Sequence, residues 1–333
     1  MMNARQIVLA ARPKGMPTVE TFRTEEITLP DLQNEEVLLK GLYYSVDPYM
    51  RGRMSAAKSY AAPYEVDQPI HGGIVAEVVQ STSPEFAKGD VVLGYLPWST
   101  TIIAKAKDLK KIDTNLAPAS YYLGILGMPG LTAFFGLMDI GKPKAGETVV
   151  VSGAAGAVGI LVGQIAKIQG CRVVGIAGGP EKTNMLLNEF GFDAVVDYKA
   201  TTDLSAAIAH ATPNGVDIYF DNVGGEISDA VIQQLNFHAR IPLCGQIALY
   251  NNTEVALGPR IQPFLLTRSV LMQGFIVGNY ASRFKEGIVQ LAEWVKTGKL
   301  KYTETIVEGF DQLPAALLGL FSGNNTGKMI VKA

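Results

Sequence analysis

The sequence predicts an α/β protein of two domains, in which short strands come first and a parallel sheet follows. At 333 residues the chain is long for one hydrophobic core. Residues 1–113 alternate short apolar strands with turns, whereas from Lys144 onward strands alternate with helices, as in a parallel sheet. A glycine-rich turn after the strand at 148–151 leads directly into a helix, which fits the same architecture.

The composition excludes several classes of protein. Hydrophobic residues make up 48% and charged residues 18%, which is typical of a folded chain and not of a disordered one. The net charge is −2 and the charges are interspersed, so we expect no nucleic-acid partner. Residues 114–138 are uncharged, but their prolines and glycines favour a buried helix pair at a domain junction over a membrane span.

The cellular location follows from two further observations. The apolar run at residues 7–11 is too short for a signal peptide. Cys171 and Cys244 are far apart in the sequence and do not suggest a disulfide framework. We therefore expect a cytoplasmic protein.

The elements of the first domain are short strands. Apolar, β-branched runs predict strands at 37–44 and 73–79, and the turn at 88–90 precedes another at 91–93. This spacing is typical of a partly closed β domain. A helical stretch over 121–138 then carries the chain into the second domain.

The second domain is predicted as six strands alternating with helices. The strands are expected at 148–151, 172–177, 194–197, 216–221, 240–244 and 272–277, and the helices at 181–190, 204–210, 227–236 and 282–296. The tail is predicted as a strand at 304–310, a helix at 313–321 and a strand at 329–332, which rejoin the first domain.

The stretch 148–159, TVVVSGAAGAVG, is the strongest functional signal. A buried strand, a turn of small residues and a helix form the arrangement that binds a dinucleotide pyrophosphate, because the backbone can approach the phosphates and the helix start offers free N–H groups. The pattern is A-x-G-x-x-G, with alanine where the first glycine usually stands. The candidate residues are Gly153, Ala154, Ala155, Gly156, Ala157, Val158 and Gly159.

The end of the second strand indicates which dinucleotide binds. An NAD site normally holds an acidic residue there, which accepts a hydrogen bond from the ribose 2′-hydroxyl. Here the strand ends in Ala177-Gly178-Gly179-Pro180 without a carboxylate, and Lys182 lies in the next helix. A turn without a carboxylate and with a nearby lysine would accept a 2′-phosphate, so we predict NADP(H). The alternative for Lys182 is a solvated helix residue.

The same sequence predicts no metal site. The three histidines (His71, His210 and His238) and the two cysteines form no cluster with zinc-ligand spacing.

The chain resembles the medium-chain dehydrogenase/reductase superfamily over essentially its whole length. The segments that carry this resemblance are 86–92 (FAKGDVV) and 145–151 (AGETVVV). Within the superfamily, residues 45–54 (SVDPYMRGRM) are similar to the signature of the zinc-free leukotriene B4 dehydrogenase/prostaglandin reductase branch. That branch includes alkenal double-bond reductases and curcumin-reductase-like proteins. Further segments typical of the branch are 126–133, 220–225, 244–251 and 323–328.

The resemblance implies the domain structure. It implies a GroES-like, partly open β-barrel formed by residues 1–124 and 298–333, which would be the substrate and catalytic domain. It also implies a Rossmann domain with a doubly wound parallel sheet, formed by residues 125–297, which would bind NADP. Where zinc-dependent relatives hold ligands, this chain has Tyr44, residues 68–70 and Met128. The strand at 272–277 would lie at the sheet edge, and because the family commonly pairs this edge, a homodimer is expected.

The resemblance also implies site residues. Lys182 and Tyr198 would hold the 2′-phosphate, and Asn222 would lie near the nicotinamide ribose. Gly178 is a further candidate cofactor residue. Asn222 has independent support, because it follows the carboxyl end of a strand. Phe275 and Val277 could equally be sheet core, and Tyr198 a surface aromatic. Residues expected to line the cofactor are Cys244, Gly245, Tyr250, Phe275, Ile276, Val277 and Asn325.

The expected reaction is reduction of a carbon–carbon double bond. Hydride addition to the β carbon of an enone or enal leaves the charge on oxygen as an enolate, which hydrogen-bond donors can stabilise without a metal. Tyr250 and Tyr49 are the candidate donors, together with a ribose hydroxyl, although either tyrosine could equally be a packing residue. Two alternatives remain: NADPH-dependent quinone reduction, against which residues 47–54 argue, and a structural, cofactor-binding role like that of the zeta-crystallins.

Overall fold

The computed structural model describes residues 2–333, which form two compact units. The first unit comprises Met1–Gly124, Glu304–Asn325 and Met329–Ala333, and the second comprises Ile125–Thr303 with Thr326–Lys328. One unit is built on an antiparallel sheet and the other on a parallel sheet, so the predicted fold class is confirmed. The functional division into a catalytic and an NADP-binding domain stays a prediction.

The first unit is organised around its central strand β3. The elements of its N-terminal part are β1 (Met2–Leu9), β2 (Phe22–Leu29), β3 (Glu36–Ser45), α1 (Tyr49–Arg53), β4 (His71–Ser81), β5 (Val91–Pro97), β6 (Thr101–Lys105) and β7 (Leu109–Lys111). β3 pairs antiparallel with β4 on one side and, through its first half, with β6 on the other. β5 then joins β4 to β7, and β1 pairs with β2 as a separate ribbon. The core between them includes Leu39, Tyr44 and Trp98, all fully buried.

The connection between the units is a broken helical region. A one-turn 3-10 helix at Ala119–Leu123 is followed by α2 (Met128–Phe135) and by a π-helix at Gly136–Gly141. The helical stretch predicted over 121–138 is therefore present but interrupted. Gly124 has φ −127° and ψ −105°, which no helix allows, and Gly127 is also extended, so the chain leaves the helical conformation between the two pieces.

The second unit contains a six-stranded sheet in which each strand pairs in parallel with its neighbours. Its elements are β8 (Thr148–Ser152), α3 (Gly159–Ile168), β9 (Arg172–Ala177), α4 (Pro180–Asn188), β10 (Ala194–Asp197), α5 (Leu204–Ala211), β11 (Val216–Phe220), α6 (Gly225–Ile232), β12 (Leu235–Leu243), α7 (Gln262–Thr267), β13 (Leu271–Gly274) and α8 (Phe284–Lys296). The sheet order is β10-β9-β8-β11-β12-β13. The chain therefore reverses direction across the sheet between β8 and β11, and ligands of such sheets bind at the carboxyl ends of strands at this switch point.

Two sequence-based boundaries in this unit are wrong. The helix expected over 227–236 ends at Ile232, because β12 already begins at Leu235 and runs beside β11. The strand expected at 272–277 is β13, which stops at Gly274. β13 does form one edge of the sheet, as predicted.

The C-terminal residues return to the first unit. They form β14 (Glu304–Glu308), α9 (Leu313–Ser322) and β15 (Lys328–Lys332), and β15 pairs antiparallel with the second half of β3. The strand, helix and strand predicted for the tail are confirmed. In the part of the chain that is described, residues 2–333, no helix has the length and apolar character needed to cross a membrane.

Candidate cofactor and catalytic site

The glycine-rich loop lies between β8 and α3, at the carboxyl end of the sheet. All five residues of β8 are buried, and Gly153 leaves the strand with a positive φ of 59°. Gly159 is the first residue of α3, and a Cβ atom there would lie 2.3 Å from the carbonyl oxygen of Gly153. A side chain at this position would therefore push the helix away from the turn. The loop is consistent with the predicted pyrophosphate site, because the first N–H groups of α3 face the same turn.

A second segment, Thr326–Lys328, lies beside this loop. Gly327 forms a parallel bridge with Gly156, and the Gly327 N–H donates to the carbonyl oxygen of Ala155 over 2.8 Å. Gly327 has φ +65°, and a Cβ there would lie 2.1 Å from the Thr303 carbonyl oxygen. Asn325, a predicted cofactor residue, directly precedes this segment in the chain.

The end of β9 is a cationic turn. A Cβ atom on Gly178 would lie 2.9 Å from Tyr198 Cε1 and 2.9 Å from Lys199 Cδ, so both side chains pack against this glycine. Lys182 in α4 is half-buried. Burial lowers the pKa of Lys182, and the neighbouring charge of Lys199 lowers it further. The structure thus brings Gly178, Lys182 and Tyr198 together, and it adds Lys199, which sequence reasoning missed although it directly follows Tyr198.

Two carboxylates lie near this turn: Glu181, whose charge partly offsets the lowering of the Lys182 pKa, and Asp197 at the end of the adjacent strand β10. Asp197 accepts hydrogen bonds through Oδ1 from the backbone N–H groups of Gly179 and Lys199, both over 3.0 Å. That carboxylate is therefore engaged in holding the two turns together. Sequence reasoning missed this contact, because it weighed the end of β9 alone.

At the switch point, Asn222 is fixed against the end of β8. Its backbone N–H donates to Ser152 Oγ over 2.9 Å, and its side-chain amide donates to the Ser152 carbonyl oxygen over 2.8 Å. Asn222 is half-buried, so its remaining surface faces outward from the strand end. This position agrees with the ligand-binding edge of a parallel sheet.

Asp221, one residue earlier, is a polar centre that sequence reasoning missed. Its side chain is fully buried. Both carboxylate oxygens accept hydrogen bonds, and the donors come from separate segments of the second unit. Oδ1 accepts from Ser152 Oγ (3.1 Å), Tyr219 OH (2.8 Å), Val223 N (3.0 Å) and Gly224 N (2.9 Å), and Oδ2 from Ser228 Oγ (2.9 Å) and Gln246 Nε2 (3.4 Å).

The segment 244–250 begins at the end of β12 and is held by the same residue. The backbone N–H groups of Cys244 and Gly245 donate to the Asp221 carbonyl oxygen over 2.9 and 3.1 Å. The Tyr250 hydroxyl accepts from the Gln246 backbone N–H over 3.4 Å, so its own proton is available for donation to another group. Burial raises the pKa of Tyr250, which keeps that proton in place at neutral pH.

The residues after β13 form a partly exposed turn. The ring of Phe275 meets Phe220 edge-on, with centroids 6.2 Å apart, and Ile276 is exposed. Phe275 and Val277 follow the strand instead of lying within it. Both residues are half-buried, and Phe275 packs on the fully buried Phe220, so core packing and cofactor contact both stay predictions.

Tyr49, the second candidate donor, begins α1 in the first unit. Burial raises the pKa of Tyr49 well above its ordinary value, and the buried carboxylate of Asp47 adds to this effect. The neighbouring side chains Arg53 and Tyr64 stack, with the guanidinium carbon 4.3 Å from the ring centroid. Sequence reasoning did not single out Tyr64, because it lies in a stretch without a regular pattern.

Comparison with known proteins gives the family. Residues 5–112 match the family described as the N-terminal domain of oxidoreductase, and residues 157–294 match the zinc-binding dehydrogenase family. The Bacillus subtilis (strain 168) protein YfmJ is 58% identical over 330 residues, which cover 98% of this chain and 97% of that protein. The chain belongs to the medium-chain dehydrogenase/reductase superfamily.

Two further relatives identify the branch of this superfamily. The NADPH-dependent curcumin reductase of Escherichia coli (strain K12) is 45% identical over 333 residues, covering 98% of this chain and 96% of that protein. The crystal structure of CurA in complex with NADPH from Vibrio vulnificus superposes with a TM-score of 0.95 at 45% identity, covering 99% of each chain. The protein therefore belongs to the branch that contains curcumin and prostaglandin reductases.

The superfamily's zinc does not fit the residues of this member. Among residues 2–333, no group of three or more His, Cys, Asp or Glu side chains is arranged to hold a metal ion. Tyr44, at one of the ligand positions, is fully buried, and its hydroxyl donates to the Ser99 carbonyl oxygen over 2.7 Å. Tyr44 is thus a core residue.

Proposed function

We propose that the protein is an NADPH-dependent reductase of the carbon–carbon double bond in α,β-unsaturated ketones and aldehydes. The observation that carries the cofactor choice is the cationic turn at Gly178, which is flanked by Lys182 and Lys199. A 2′-phosphate would bind there by charge-assisted hydrogen bonds. Similarity to the E. coli curcumin reductase over nearly the whole chain supports both the cofactor and the reaction.

The proposed cofactor site runs along the carboxyl end of the parallel sheet. The pyrophosphate would lie on the loop 153–159. The 2′-phosphate would contact Lys182 and Tyr198, and the nicotinamide ribose would contact Asn222. Residues 244–250 and 275–277 would line the remainder.

The proposed chemistry requires the chain to stabilise an enolate. When bound, NADPH supplies the hydride that adds to the β carbon of the substrate. A tyrosine hydroxyl then donates a hydrogen bond to the developing enolate oxygen. Tyr250 suits this role because its oxygen already accepts from Gln246 and its raised pKa keeps the hydroxyl protonated. Such a donor stabilises charge that exists mainly in the transition state.

The experiment that tests this function is a substrate panel. The consumption of NADPH would be followed with simple enones and enals, with quinones and with saturated aldehydes. We expect turnover of the enones and enals, and none of the saturated aldehydes. A preference for quinones would favour the quinone reductase alternative. Tight NADPH binding without turnover of any compound would favour the structural role.

We also propose a homodimer paired through β13. This strand forms one edge of the six-stranded sheet, and Leu271 within it is exposed. An exposed apolar edge strand is suited to pairing with a second copy. Light scattering at micromolar protein concentration tests the proposal, and a monomeric mass would contradict it.

We further propose a cytoplasmic location. Cys171 and Cys244 are both unpaired, which fits a reducing compartment. Fractionation of the source cells tests this proposal, and recovery of the protein outside the cytoplasmic fraction would contradict it.

A further inference from the structure

Asp221 has a buried side chain that plays no part in the cofactor site proposed above. It directly follows β11 at the switch point of the sheet, and its side chain is fully buried. Asn222, the next residue, is the one proposed to contact the nicotinamide ribose. The backbone of Asp221 also holds Cys244 and Gly245, which are proposed to line the cofactor.

The surroundings of this carboxylate supply hydrogen-bond donors to both of its oxygens. Backbone N–H groups and the side-chain amide of Gln246 can only donate, so both oxygens of Asp221 must act as acceptors toward them. A carboxylate that accepts several such hydrogen bonds is stabilised in its charged form.

No cation neutralises this charge. Within residues 2–333 Asp221 takes part in no ion pair, and its partners are all neutral donors. Buried carboxylates are normally paired with a cation. Neutral donors spread the charge but do not cancel it, so its field extends to nearby groups in the low-dielectric interior.

Two neighbouring groups respond to this field. Burial, together with the charge of Asp221, raises the pKa of the Cys244 thiol to about 12. The same two causes raise the pKa of Tyr219 well above its ordinary value. Because Cys244 belongs to the segment proposed to line the cofactor, the negative charge acts at that segment as well.

We propose that the uncompensated charge of Asp221 favours the oxidised, cationic nicotinamide over the reduced, neutral one and so increases the driving force for hydride donation. This inference rests on the proposed function. In that reaction NADPH, a proton and the enone give NADP⁺ and the saturated ketone: the hydride carries two electrons to the β carbon, and the proton adds to the α carbon. The nicotinamide ring thereby gains one positive charge, which a nearby buried carboxylate stabilises.

The test compares the affinities of the two cofactor forms in three proteins. Asp221→Asn removes the charge at nearly constant volume. Ser228→Ala is the matched control, because it removes a donor to Oδ2 and keeps the charge. Dissociation constants for NADP⁺ and NADPH would be measured by calorimetry. In Asp221→Asn we expect the ratio of the NADP⁺ constant to the NADPH constant to rise on the order of 5- to 20-fold. The control should keep the wild-type ratio.

A second variant keeps the proposal testable if Asp221→Asn does not fold. Gln246 is half-buried and its side-chain nitrogen lies 3.4 Å from Oδ2, so Gln246→Lys places an ammonium group beside the intact carboxylate. We expect the ratio of the NADP⁺ constant to the NADPH constant to rise in this variant as well. Equal weakening of both cofactor forms in a folded charge variant would show a purely structural role and overturn the inference. A wild-type protein that binds neither form would contradict the proposed function itself.

Discussion

The second unit carries opposite charges at the ends of β9 and β11, two strands on either side of β8. At the end of β9, Lys182 and Lys199 lie beside a turn of glycines, partly open to solvent. Asp221 directly follows β11 and accepts a hydrogen bond from Ser152 at the end of β8. Its side chain is fully buried and surrounded by neutral donors. The first arrangement suits an anionic phosphate that arrives from solvent. The second suits a group that becomes positive during the reaction, because a buried charge acts through a low dielectric.

Because the two strand ends differ in charge and in burial, they should respond differently to substitution. The cationic end should control which cofactor binds, and the anionic end which redox form is favoured. Variants at the first should change affinity for the 2′-phosphate alone. Charge variants at the second should change the affinity for NADP⁺ relative to that for NADPH, and removal of the Tyr250 hydroxyl nearby should change kcat.

Lys182→Ala gives the largest expected effect. It should weaken NADPH binding by about 1.5–3 kcal/mol, the scale of charge-assisted hydrogen bonds, and leave NADH binding nearly unchanged. Titration with both cofactors measures the difference. Lys167→Ala is a matched control, because Lys167 forms an ion pair with Asp193 at the other end of α3. Equal losses for NADPH and NADH would show that Lys182 does not contact the phosphate.

Tyr250→Phe should lower kcat and leave NADPH affinity close to that of the wild type. Loss of one donor to a developing oxyanion typically costs on the order of 10²-fold. We expect less here, because the ribose hydroxyl would share the charge. Steady-state kinetics with a simple enone measures the effect.

Tyr49→Phe is the companion variant for that experiment. Both substitutions keep the ring and remove only the hydroxyl, so one of the two should account for most of the loss in kcat. An unchanged kcat in Tyr250→Phe would remove Tyr250 from the mechanism.

Lys199→Ala should have a smaller effect than Lys182→Ala. Lys199 is exposed, and interactions of exposed charges are worth roughly 0.2–1 kcal/mol. We therefore expect a loss of NADPH affinity within that range and no change for NADH. A loss equal to that of Lys182→Ala would mean that the two lysines contribute equally to the phosphate site.

The smallest effect at ordinary pH is the change in cofactor preference as Lys182 loses its proton. The pKa of this lysine is lowered, and the 2′-phosphate binds its protonated form. The preference for NADPH over NADH is therefore fully present below the lowered pKa and is lost as the pH rises through it. We expect the affinity ratio to begin to fall at a pH below the ordinary lysine value of about 10.4. A ratio that stays constant up to that ordinary value would contradict the assignment.

The two strand ends also show what a sequence can and cannot predict. The turn at Gly178 was predicted because its signal is local: glycines stand where a carboxylate is expected, and a lysine follows. Asp221 was missed because two of its donors, Ser152 and Gln246, are distant in the sequence and reach it only when β8, β11 and β12 are aligned. A single aspartate after an apolar strand gives no sign of whether it is buried.

Similar reasons explain the errors in the fold. Strand positions followed from β-branched runs and were predicted well, as at β9 and β10. The helix expected over 227–236 was too long, because Leu235 continues the apolar spacing of α6 although it pairs in β12. Pairing with a distant strand decided that boundary, and local periodicity cannot show it.

The most direct test of the proposed reaction is the destination of the hydride. An enone would be reduced with NADPH that carries deuterium at the transferred position, and the product would be examined by NMR. We expect a saturated ketone with one deuterium on the β carbon. Deuterium on the carbinol carbon of an allylic alcohol, or NADPH bound without any enone consumed, would contradict it.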